Sequence, residues 1–184
     1  MDLFVWLGLA VVVFWAVGAY NRLVRLRAEV KHSFAGLVRH WHQQLQVAES
    51  SLPAQWVNGL GAHSMDMVPA ADRPWIALKA ASTQFVASLD AAQTRPLDPA
   101  SVAALRSAQD VLVAAWARVI AGLEEHSALP GIDPPHRKWD DQWQLTDGAR
   151  CRFNDAVQAY NDAISQFPAR LLAWLFSFLP GRSL

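Results

Sequence analysis

The chain has 184 residues, with sixteen basic and sixteen acidic side chains, so its formal net charge is zero, which argues against a dedicated nucleic-acid binder. A single cysteine, Cys151, excludes an intramolecular disulfide and gives no sign of an oxidising compartment. The length suits one membrane anchor plus one domain of about 150 residues, and the anchor partly accounts for a hydrophobic content of 53 %.

The anchor is Leu3 to Asn21, LFVWLGLAVVVFWAVGAYN, with no charged side chain between Asp2 and Arg22. Such a run crosses roughly 30 Å of hydrocarbon as a helix at about 1.5 Å per residue and satisfies its own backbone, which lipid cannot do. Leu3, Trp6, Val12, Trp15 and Ala19 mark the predicted span, over residues 1–21. Val17-Gly18-Ala19 would serve as a signal-peptide cleavage site. The amino end lacks the basic segment such peptides carry, which favours an uncleaved anchor. Five basic residues (Arg22, Arg25, Arg27, Lys31 and Arg39) against one acid, Glu29, follow the span. That excess predicts the amino end outside and the domain in the cytoplasm.

Beyond the span the apolar pattern narrows to one stripe, Leu23, Leu26, Val30, Phe34, Leu37, Trp41 and Leu45, repeating every eleven residues. That period matches a nearly straight helix, so one helix is expected to leave the bilayer and continue into water. Residues 46–73 read as an irregular connection: Pro53, Gly59, Gly61, Pro69 and Pro74 interrupt any long helix, with room only for a short one from Pro53 to about Leu60. A second helix is predicted from Pro74 to about Ala92, capped by Asp72, with Trp75, Leu78, Phe85 and Leu89 on one face. Asp98-Pro99 start a third, a cap followed by a first-turn proline, which runs to about His126 with Val102, Leu105, Leu112, Trp116, Val119 and Leu123 inward. A fourth is expected to begin between Asp140 and Thr146, with Phe153, Val157, Tyr160, Ile164 and Phe167 as its seam. After Pro168, residues 168–184 form an apolar segment too short to span a bilayer but suited to its surface or to a partner. No sustained two-residue alternation competes. The predicted fold is all-α, a transmembrane helix continuing into an antiparallel bundle of three to four helices over residues 22–167.

Chemical motifs are scarce. His40 and His42 project about 200° apart on a helix and cannot share a metal. His126, Asp133, His136, Asp140 and Asp141 are metal-ligand types gathered near one loop, without the spacing of a known site. His63, Met65 and Met67 lie in the irregular connection and read as surface. Cys151 stands between Arg150 and Arg152, which favours its thiolate, but no histidine-partnered motif surrounds it. Phosphate-binding glycine loops and nucleophile elbows are absent from the sequence. No catalytic residue, cofactor or metal is expected.

Two stretches carry a family likeness. Tyr20, Asn21, Leu23, Val24, Leu26, Arg27 and Val30 form one; Phe153, Asn154, Ala156, Val157, Tyr160, Asn161, Ile164, Phe167 and Pro168 form the other. Together they resemble the end signatures of the LemA family, while the stretch between departs from that family's pattern, as in a divergent member. The resemblance implies a bacterial inner-membrane protein with one amino-terminal span and a cytoplasmic helical bundle; it implies no activity.

The expected function is therefore non-enzymatic: a single-pass membrane protein whose bundle docks other proteins, of unknown identity. The alternative is a lipid-sensing or membrane-remodelling protein that uses Arg22, Arg25, Arg27, Lys31, Arg170, Trp174 and the apolar Leu171–Leu179 stretch as lipid contacts. Membrane lipids are the expected partners in both, nucleic acid in neither, and a second copy of the chain is left open. An up-down bundle would return its fourth helix to the bilayer, bringing Asn161 level with Asn21 and Trp174 to the membrane face.

Overall fold

A computed structural model describes residues 2–53, 69, 72–126, 135–167 and 169–184, and these form an all-α structure. Its helices are α1 (Asp2–Ser50), α2 (Arg73–Thr94), α3 (Pro99–His126), α4 (Pro135–Ser165) and α5 (Ala169–Leu175). At 49 residues, α1 is about 74 Å long: a bare apolar half, then a half built into the bundle.

The stripe on α1 is the spine of the core. Leu23, Val30, Phe34, Leu37, Trp41 and Leu45 are all buried, and Leu26 packs beside them. The helix runs past Leu45 to Ser50 because the same face continues through Gln44 and Ala48, both buried. It ends where the Ser50 and Ser51 hydroxyls donate back to the Val47 carbonyl, at 3.0 and 2.8 Å, ahead of Pro53. The irregular connection thus starts later than residue 46; most of it, with the short helix expected toward Leu60, lies outside the described residues.

Two further boundaries differ from expectation. Asp72 occupies the position before α2, but its side chain makes no capping hydrogen bond, and Pro74 alone marks that start. The α4 helix begins at Pro135 rather than between Asp140 and Thr146. Its inward face continues backward through Ala149, Thr146, the half-buried Gln142 and Trp139, and two polar members hide that periodicity in the sequence. Asp98 does cap α3: its Oδ2 accepts from the Ser101 amide at 2.8 Å and the Ser101 hydroxyl at 2.7 Å. These bonds, the hydroxyl's foremost, hold the carboxyl below its ordinary pKa. The cap is therefore complete above the usual aspartate range and fades as pH falls through the lowered value.

Ring contacts fix the helix directions. Phe34 lies 5.3 Å from Phe153, and Gln142 Nε2 donates to the His40 carbonyl at 3.2 Å. Rising numbers on α1 thus meet falling numbers on α4, so the two are antiparallel. Trp41 packs edge-on to Phe85 of α2 at 5.6 Å, and Trp116 of α3 stacks on Trp139 of α4 at 4.5 Å. Between α2 and α3 the chain turns at the end of the bundle nearer the apolar half of α1, where Leu97 reaches Gly181. The bundle is up-down, as the sequence predicts.

Candidate membrane-facing site

Among the described residues α1 is the helix long and apolar enough to cross a bilayer, and none of its apolar window is buried in the protein. Trp6, Val12 and Trp15 are exposed along it. A core helix of that hydropathy would be covered; these bare sides are those of a helix able to meet lipid.

The carboxyl-terminal segment comes to the point where this helix enters the bundle. Trp15 meets Phe167 at 6.3 Å, and Tyr20 meets Phe176 at 5.1 Å and Phe178 at 6.2 Å. The segment leaves Phe167, Leu171, Trp174, Leu175, Phe176 and Leu179 exposed, Trp174 at 83 % and Phe167 at 81 %. Phe167 was expected to close the α4 seam. It lies past the last turn of α4, which ends at Ser165, and so points away from the core. Ala173, in contrast, is buried, so α5 has an inward face as well as an outward apolar one. The exposed residues form a collar that continues the apolar surface of the anchor.

Arg22, Arg25, Lys31, Arg170 and Arg182 are exposed at or above this collar. Arg27 is engaged otherwise: its guanidinium carbon lies 5.7 Å from the Phe178 ring centroid, a cation–π distance.

Beyond α5 the tail folds back along α4. At the turn Ser177 adopts φ 54°, and the Phe178 amide bonds to the Ala173 carbonyl at 2.9 Å, the six-to-one bond of a Schellman motif. Glycine usually fills that left-handed position, because a Cβ there costs about 1 kcal/mol. Ser177→Gly is therefore expected to raise the stability of the turn by about 0.5–1 kcal/mol, seen as a higher urea midpoint in micelles. The tail is then clipped by polar side chains of α4. Tyr160 donates its hydroxyl to the Leu179 carbonyl at 3.0 Å. Asn161 exchanges two bonds with Gly181, and Asn154 two with Leu184, all at 2.9 Å. Burial raises the Tyr160 pKa, partly opposed by Arg27, so the phenol stays a donor at neutral pH. A Cβ at Gly181 would lie 2.6 Å from Leu97 Cδ2, so any larger residue there requires the Leu97 side chain to move. Elsewhere in the two stretches that carry the family likeness, Phe153 is buried, Asn21 exposed, and Pro168 lies outside the described residues.

Two grooves flank this region. One, of about 340 Å³, lies between α1 and the α4–α5 junction, with Trp15, Gly18, Arg22, Gln166 and Phe167 among its walls. The other, of about 540 Å³, is farther from the anchor and polar, bordered by Glu29, His32, Arg39, His40, Arg152 and Asp155. No group of three or more potential metal ligands occurs among the described residues. His40 engages Gln142, His42 faces outward, and Cys151 is exposed and unpaired. Asp133 and the loop around it, with His63, Met65 and Met67, lie outside the described residues.

Comparison of the chain with family models, curated proteins and solved structures finds no match.

Proposed function

We propose that the protein is a non-enzymatic membrane-surface module: α1 anchors it, and the α5 collar seats the bundle on the bilayer beside the anchor. The resemblance to the LemA family supports a bacterial inner membrane, and the excess of Arg and Lys after the span supports a cytoplasmic bundle. The observation that carries the reading is the set of exposed Phe167, Leu171, Trp174, Leu175 and Phe176, which adjoins α1 where Phe167 meets Trp15 and Phe176 meets Tyr20. In water so large an apolar patch would be a liability; at the headgroup boundary it is an anchor, with Trp174 the residue type enriched there. A protein held at two points has a fixed stance, and lipid composition can alter how firmly the second point sits.

Arg22, Arg25 and Arg27 fall within about 8 Å along the helix axis, whereas Lys31 is about 14 Å from Arg22. Each exposed cation near an anionic surface adds about 1 kcal/mol, over a Debye length of about 8 Å, so Arg22 and Arg25 dominate and Lys31 adds least. A fluorophore on Leu175→Cys, in a Cys151→Ser background, tests the sensing role in bilayers with and without phosphatidylglycerol. The expected result is a larger blue shift with the anionic lipid, reversed by high salt; identical emission in both bilayers would contradict sensing.

Docking of other proteins is a second reading, favoured by the polar groove from Glu29 to Asp155. It carries both signs of charge, which suits a protein partner better than lipid.

A further inference from the structure

We infer that the groove of about 340 Å³ beside Gly18 holds one anionic glycerophospholipid from the leaflet on the Arg22 side. This rests on the membrane-surface reading and goes beyond it, because a collar needs only bulk lipid whereas a groove selects a molecule.

Three observations support it. The groove opens on the anchor itself, with Phe14, Trp15 and Gly18 as one wall and Phe167 as the other, so an acyl chain reaches it without leaving hydrocarbon. Arg22 and Gln166 are among its lining residues, and the lining contains no acid. A phosphodiester therefore finds a cation and an amide donor there, while an ammonium headgroup finds no counter-charge. Gly18 leaves open space where a side chain would stand, although a glycine inside a helix costs about 0.5–1 kcal/mol relative to alanine. The volume is at the low end of the roughly 300–1,000 Å³ of small-molecule sites, enough for a phosphate and part of one chain.

The test uses the full chain, extracted from bilayers of phosphatidylethanolamine and phosphatidylglycerol and weighed by native mass spectrometry. One retained phosphatidylglycerol per chain is expected, in preference to phosphatidylethanolamine. In Gly18→Leu the new Cβ has no atom within 4 Å, the side chain occupies groove space, and leucine favours helix, so it tests occupancy in a folded protein. Arg22→Gln tests the charge. Both should lower retention about tenfold or more. Absence of retained lipid in the wild type, equal retention of the two lipids, undiminished retention in Gly18→Leu, or a lipid-free dimer would each overturn the inference. If the Leu175→Cys fluorophore still reports lipid in those cases, the groove is refuted and the collar stands; if it reports water, the collar itself is refuted.

Discussion

Asn154→Asp with Asn161→Asp is expected to release the tail from α4 while leaving the helices formed. Each asparagine makes a reciprocal pair: its amide donates to a tail carbonyl and its oxygen accepts a tail amide, at 2.9 Å throughout. Aspartate keeps the shape and the acceptor but sets an anionic oxygen against the carbonyls of Gly181 and Leu184. A partner orphaned in a part-buried setting costs about 1–3 kcal/mol, so either change alone should cost about that much at the tail. The two act on one segment and will not be additive. Hydrogen exchange at the Gly181 and Leu184 amides should accelerate strongly. Protonation gives the carboxyl a donor again, so the defect should ease as pH falls through the aspartate pKa, which the facing carbonyls raise. Unchanged exchange at neutral pH would mean that the clip does not hold the tail.

The second large effect is expected at Trp41. This side chain is 1 % exposed and touches both Phe34, at 6.2 Å, and Phe85, at 5.6 Å, so it joins α1 to the middle of α2. Its indole N–H meets no acceptor among the described residues. Trp41→Ala should cost about 3–5 kcal/mol through the cavity it leaves. Trp41→Phe keeps a ring between its neighbours and removes the unpartnered N–H, whose burial costs about 1–3 kcal/mol. It should therefore cost far less, at most about 1.5 kcal/mol. Urea unfolding in micelles, followed by helical circular dichroism, separates these outcomes. Equal losses for both substitutions would show that the indole nitrogen has a role that the ring contacts do not explain.

The fold was legible where hydrophobic spacing is uninterrupted. The α1 stripe from Leu23 to Leu45, with Leu26 only partly covered, the α3 face from Val102 to Val119 and the α4 seam from Phe153 to Ile164 are buried as their spacing predicts. It was obscured where polar residues occupy inward positions: Thr146 and Gln142 interrupt the α4 pattern, which hid its first turns and the Trp116–Trp139 stack. Equal helix lengths in an up-down order were enough to foresee the approach of the carboxyl end to Tyr20. The return of the tail was not foreseeable, because GRSL has no periodicity and the signal lay in its partners. Asn154 and Asn161 sit seven residues apart on one helix face, and their amides are long enough to hold an extended strand of backbone. The αL turn at Ser177 was hidden for a related reason, since serine stands where glycine would have announced it.

Whether the collar sits in lipid is tested most directly by comparing two exposed leucines. Leu175, in the collar, is 65 % exposed, and Leu145, on α4 toward the far end, is 55 % exposed. Each is replaced singly by a spin-labelled cysteine, in a Cys151→Ser background, in the full chain reconstituted in bilayers. Collisions with oxygen, which concentrates in hydrocarbon, are then measured against collisions with a water-soluble nickel complex. The account predicts that oxygen dominates at Leu175 and nickel at Leu145. A Leu175 profile as aqueous as that of Leu145 would contradict it.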